Sequence, residues 1–249
     1  KKQELCFAAA GLCGVTLYYL MENMALTYTL ASNVGVIISI APFFTAIFSF
    51  FLRKGDKPGK RFFLGFVMAM AGICLISGSS GAALSLNPLG DVLAIGAAII
   101  WAVYSLLTRK IGDFGYHVVQ ATRRTFFYGL IFMIPVLSLM DFHVEAVQLI
   151  QLSNLGNLLF LGLGASALCF VTWNFAVKAL GAVKTSVYIY LVPVITVAAS
   201  VLILREPFTW MTGAGTVLTL IGLLLSEGKL HWKEGTHHET GTGQMRPGD

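Results

Sequence analysis

Charged side chains are scarce in this 249-residue sequence: 17 Lys and Arg and 12 Asp and Glu make up 12 % of it. An ordinary soluble domain is about one quarter charged, so a protein wetted on all sides is excluded. Cysteine is sparse as well. Cys6, Cys13, Cys74 and Cys169 lie inside long apolar runs with no CxxC pair, which excludes a disulfide framework and a zinc site and makes core thiols the expectation. HExxH, GxSxG and Walker sequences are missing. "GLGAS" at 162 to 166 sits within an apolar run and lacks the strand-then-helix context of a dinucleotide site. No cofactor or metal is expected.

Apolar residues dominate what is present. They make up 56 % of the chain before its 26 Gly are counted. Runs long enough to span a bilayer, about 20 residues each, fall at 4 to 27, 30 to 52, 61 to 79, 89 to 109, 116 to 140, 153 to 177, 183 to 204 and 208 to 228. The expected fold class is therefore all-α, a polytopic membrane bundle of eight transmembrane helices. No short apolar core with a cleavage site opens the chain, so the first run reads as a span. The polar, Gly-rich segment 229–249 is expected to be a disordered tail. Its His237, His238 and Glu239 have no further ligands at metal spacing.

The net charge of +5 suggests nucleic acid only until the basic residues are placed. With the N-terminus in the cytoplasm, 16 of the 17 Lys and Arg fall on inner segments and only Arg205 falls outside. The positive-inside rule thus predicts a plasma or inner membrane protein with both termini cytoplasmic, and no nucleic-acid partner.

The chain also repeats. An offset of 151 aligns Gly11 with Gly162, Asn23 with Asn174, Ala31 with Ala182, Val36 with Val187, Pro42 with Pro193 and Thr45 with Thr196. After a one-residue shift, Gly65, Ala69 and Gly72 match Gly215, Thr219 and Gly222, each set a small-residue face suited to close helix packing in lipid. Helices 1 to 3 match helices 6 to 8. An offset of five helices reverses direction across the membrane, giving inverted-topology repeats, the plan of many secondary transporters. Residues 1–79 read as an incomplete first repeat of three helices and 80–228 as a second repeat of five. The complete plan would have ten helices, the first two lying ahead of Lys1.

The segments "ENMALTYTLASNVGVIISIAPFFTAIFSFF" and "WNFAVKALGAVKTSVYIYLVPVITVAASVLILREPFTWMTGAGTVLTLIGLLLS" carry a resemblance. Over residues 1 to about 228 the chain resembles the EamA-type members of the drug/metabolite transporter superfamily. Pro193, Glu206, Gly215 and Gly222 meet the second-repeat pattern, whereas the first repeat has "LRKGDKPGK" with Asp56 where the family commonly has Glu. The resemblance implies two five-helix repeats around a central cavity that exports, imports or exchanges small metabolites such as amino acids.

Several residues could line such a cavity. Pro42 and Pro193 each remove an N–H and free the carbonyl four residues earlier, on Ile38 and Ile189, so both helices should bend and serve as hinges. Glu22 lies in an apolar span, where a carboxylate costs on the order of 3 kcal/mol and normally faces a cavity or a partner. It is the candidate for proton coupling or for recognising substrate charge. Asn23 and Asn174 offer donors and acceptors either for bridging helices or for holding a zwitterion. Trp101, Tyr104, Trp173 and Tyr188 provide aromatic surface for an organic substrate, with core packing or an interface belt as the competing account. Arg123 or Arg124, one turn after Gln120, either attracts an anionic group, pairs with a carboxylate or snorkels to the interface. Arg205 and Glu206 form an outer turn.

The expected activity is secondary transport by alternating access, with a small-molecule substrate and the lipid bilayer as partners and homo-oligomerisation left open. A membrane-embedded enzyme using Glu22 and an Arg is the alternative, but it lacks a second acidic or His residue at membrane depth, since Asp91, Asp113 and Asp141 fall at span ends. A non-transporting scaffold is the third reading.

Overall fold

The computed structural model describes residues 2–53, 58–79, 87–140, 151–203, 205 and 208–227. Among these residues there are helices and no strands. We label eight long helices in chain order: α1 Lys2–Tyr28, α2 Asn33–Leu52, α3 Lys60–Ser79, α4 Pro88–Gly112, α5 Val118–Leu139, α6 Leu152–Leu180, α7 Ala182–Ile203 and α8 Trp210–Glu227. Seven are long and apolar enough to cross a membrane. The other, α5, has 22 residues, about 33 Å at 1.5 Å per residue. It misses that apolarity because Gln120, Arg123 and Arg124 occupy its first two turns.

Local sequence accounts for the ends of α4. Asn87 caps it, its Oδ1 accepting from the N–H groups of Leu89 and Gly90 at 3.2 Å each, and Pro88 follows at the first helical position. Asp91 in the first turn and Arg109 and Lys110 in the last turn complement the helix dipole.

The matched helices are irregular at matched places. In α1 the winding widens to π geometry over Leu12–Leu17, and in α6 over Phe160–Leu168, which contains the positions 151 residues on. In α2 the helix breaks at Ser39 and Ile40, just before Pro42, where Phe43 N–H bonds Ile40 O at 2.9 Å. In α7 it tightens to a 3₁₀ turn at Tyr188–Tyr190, just before Pro193. Pro135, inside α5, adds a third intrahelical proline. Between α6 and α7 the chain turns at Gly181 with φ +91°, a left-handed conformation that favours glycine.

Packing follows the small residues. Among the described residues the most extensive helix contact is between α3 and α8. A Cβ on Gly222 would lie 2.6 Å from the Gly65 carbonyl oxygen, and one on Gly72 would lie 2.5 Å from the Gly215 carbonyl oxygen. The two faces read from the sequence pack on each other, each glycine admitting the opposite backbone. Helix α1 approaches α5 in the same way. A Cβ on Gly11 would meet Thr125 O at 2.5 Å, and Thr16 Oγ1 donates to Gly129 O at 2.9 Å.

Two expectations on cysteine need correction. Cys6 and Cys13 are half-buried, but Cys74 and Cys169 are exposed. They lie on outward helix faces because a thiol is apolar enough for lipid contact and needs no core. The tail 229–249, Asp56 and Glu206 lie outside the described residues.

Candidate functional site

Three helices that are distant in sequence, α1, α4 and α6, converge on one another. From α1, Tyr18 donates its hydroxyl to Glu22 Oε1 at 2.9 Å. The two residues are one turn apart and share a helix face. The Tyr18 ring lies 4.7 Å from Trp101 on α4. Trp101 in turn packs against Trp173 of α6 at 5.1 Å and Tyr104 of its own helix at 5.2 Å. Phe170 closes the group from α6, 5.6 Å from Trp101 and 6.1 Å from Tyr19. Ring separations of this size are the tilted and edge-on contacts that aromatic pairs favour.

A polar string lies beside the rings. The buried Tyr104 donates to Asn174 Oδ1 at 2.7 Å, and Asn174 Nδ2 donates to Thr122 Oγ1 of α5 at 2.9 Å. Thr122 passes its own proton to Val118 O at 2.9 Å. Asn174 therefore ties α4, α5 and α6 together. Tyr19 shares a hydrogen bond with Ser166 of α6 at 3.1 Å. Trp173 Nε1 is buried and has no hydrogen-bond partner among the described residues. An unpaired buried N–H is costly, so this donor is free to meet a water or a ligand acceptor.

Of the residues singled out by sequence, the structure thus joins Glu22, Trp101, Tyr104, Trp173 and Asn174 in one connected patch. Asn23 adjoins it but is exposed, its Nδ2 donating back to Tyr19 O at 2.7 Å. Arg123 is exposed on α5. Tyr188 lies elsewhere and donates to Glu227 Oε1 on α8 at 2.6 Å. Pro42 is buried and Pro193 half-buried at the irregular turns of α2 and α7.

Sequence reasoning missed Tyr18, although its i−4 spacing from Glu22 was a usable signal. The carboxylate pairing open to Arg123 or Arg124 falls to Arg124, with a partner, Glu4, that the sequence had not singled out, in a second polar cluster at the opposite end of α1. There Arg124 of α5 pairs with Glu4 Oε1, and Tyr128 donates to Glu4 Oε2 at 2.8 Å. The guanidinium carbon lies 5.1 Å from the Phe7 ring and 5.3 Å from the Tyr116 ring, close enough for cation–π attraction. Glu4 and Glu22 are 18 residues apart, about 27 Å along a helix, so α1 carries one carboxylate near each end.

Among the described residues the structure is all-helical, with seven spans apolar enough to cross a bilayer, which is the make-up of a multi-pass membrane protein. The EamA-like transporter family model matches residues 1–78 and 88–227. The chain belongs to that family, which makes it a transporter of small molecules. It is 31 % identical over 229 residues to an uncharacterized transporter of Archaeoglobus fulgidus, covering 91 % of this chain and 77 % of the relative. It is 27 % identical over 232 residues to the uncharacterized transporter YyaM of Bacillus subtilis, covering 92 % and 74 %. A probable terminal-alkyne amino-acid exporter of Streptantibioticus cattleyicolor is 26 % identical over 215 residues, covering 86 % and 68 %. A crystal structure with 21 % identity superposes with a TM-score of 0.71, covering 88 % of this chain and 75 % of its own, and shares the fold.

Proposed function

We propose that the chain is a secondary transporter that exports or exchanges small zwitterionic metabolites of the amino-acid class by alternating access. The observation that carries this reading is Glu22, a half-buried carboxylate in an apolar helix, leading through Tyr18 and Trp101 to the unpartnered Trp173 N–H. A substrate ammonium is attracted by the carboxylate and by aromatic faces, and a substrate carboxylate accepts from an indole N–H. The name of the Streptantibioticus cattleyicolor relative supports the same substrate class.

In this reading residues 1–79 and 80–228 are two inverted repeats, and both termini are cytoplasmic. Pro42 and Pro193 are the hinges about which the repeats rock. Glu22 exchanges a proton against substrate, and the Glu4–Arg124 pair fastens α1 to α5 at the cytoplasmic end. The test is a proteoliposome uptake screen of pooled amino acids, amines and sugars, together with a thermal-shift screen of the same pools. The expected hit is an amino-acid pool. Uptake and stabilisation by none of the pools would remove the basis for the reading.

A further inference from the structure

A groove of about 630 Å³ lies between the start of α5 and the last turns of α6. Its size is within the range of ligand pockets, about 300–1,000 Å³. Val119, Val171, Phe175 and Ala179 give it apolar walls, and His117 and Lys178 stand among them as its basic residues. Val119 and Phe175 are exposed on the outside of the bundle, so the groove opens toward lipid rather than toward the aromatic patch.

The polar end is equipped for an anion. Lys178 Nζ uses one proton on Tyr116 O at 3.1 Å, and an ammonium has two more to offer. Beside it, Arg109 donates to Val177 O at 3.3 Å and to Lys178 O at 2.6 Å, offsetting the negative end of the α6 dipole. The N-terminus of α5 begins at the same place. Its capping residue, His117, makes no side-chain cap bond, so the first amides of a 22-residue helix are not engaged by that side chain. A cation and a positive helix end thus meet at the mouth of an apolar slot that faces the bilayer.

We infer that this groove binds an anionic phospholipid, its phosphate held by Lys178, His117 and the α5 N-terminus and one acyl chain lying along Val119, Val171 and Phe175. Basic pockets between transmembrane helices bind such headgroups. The lipid pins α5 to α6, the two helices that Asn174 and Thr122 already join.

The test uses the purified full chain in phosphatidylcholine nanodiscs with and without phosphatidylglycerol. Native mass spectrometry counts retained lipid, and the melting temperature is read in both compositions. The chain is expected to retain phosphatidylglycerol about fivefold over phosphatidylcholine, the ratio that about 1 kcal/mol for the single lysine, Lys178, gives, and to melt higher when it is present. Lys178→Ala with His117→Ala should lose both effects, and Lys178→Arg should keep them. Val119→Trp, which fills the groove without removing a charge, should also lose them, so the result does not hinge on one variant folding. Lys110→Ala, on the same end but outside the groove, should keep them. No lipid preference in the unmodified chain would overturn the assignment, as would a preference that survives in both groove variants or one lost equally in Lys110→Ala.

Discussion

Tyr104 of α4 and Asn174 of α6, 70 residues apart, are joined by a buried hydrogen bond of 2.7 Å from the tyrosine hydroxyl to the amide oxygen. Interhelical hydrogen bonds in membranes average about 0.6 kcal/mol because the separated helices find other partners. An acceptor left buried and unpaired costs more, about 1–3 kcal/mol. Tyr104→Phe is expected to fall in that higher range, since Tyr104 is 0 % and Asn174 7 % exposed. Thermal melts in detergent measure it. A double-mutant cycle with Thr122→Val should show coupling, since both residues bond the same amide.

Gly222→Leu should prevent the close approach of α3 and α8. Backbone atoms of Gly65 and Ala69 surround the new Cβ, and backbone cannot swing aside as a flexible side chain can. Overpacking costs about 1–3 kcal/mol or more, enough to give aggregated rather than monodisperse protein on size-exclusion chromatography. Gly78→Ala, where no described residue lies within 4 Å, is the control and should elute unchanged.

Glu22→Gln keeps the shape and an acceptor for the Tyr18 hydroxyl but removes the exchangeable proton. Its melting temperature is expected to stay near that of the unmodified chain. Accumulation driven by a pH gradient should disappear while substrate exchange persists. Unchanged accumulation in liposomes would rule out the coupling role.

At the other end of α1, Arg124→Ala should lower the melting temperature more than Glu4→Gln. Both break the ion pair, but only the first also removes the guanidinium from the faces of Phe7 and Tyr116. The pair is partly open to solvent, so salt should weaken its share in melts at graded ionic strength.

Pro42→Ala and Pro193→Ala restore an N–H that can bond the carbonyl four residues back. Stability is expected to hold or rise, while the rate of counterflow falls, more in the double variant than in either single one. A turnover unchanged in the double variant would show that the bends at Ser39–Ile40 and Tyr188–Tyr190 are static.

The membrane class and the approximate bounds of the eight helices were legible in the sequence because bilayer thickness fixes the length of an apolar run, and the family was legible from the two matched segments. The two small-residue faces were legible because their spacing alone marks a stripe that admits close packing. The aromatic patch was legible only in part. Trp101 and Tyr104 share a face by spacing, but nothing local tells that Tyr18 and Trp173 meet them or that Tyr188 turns to Glu227 instead.

Equivalence in sequence also failed to determine equivalence in environment. Asn23 and Asn174 occupy matched positions, yet one is exposed and bonded to its own helix while the other ties three helices together. Composition and periodicity determined that helices form and cross the bilayer. The tertiary structure decided which faces of those helices meet, because helices apolar nearly all round carry little rotational signal. Contacts such as Glu4 with Arg124, 120 residues apart, exist only once neighbouring helices have been chosen and turned.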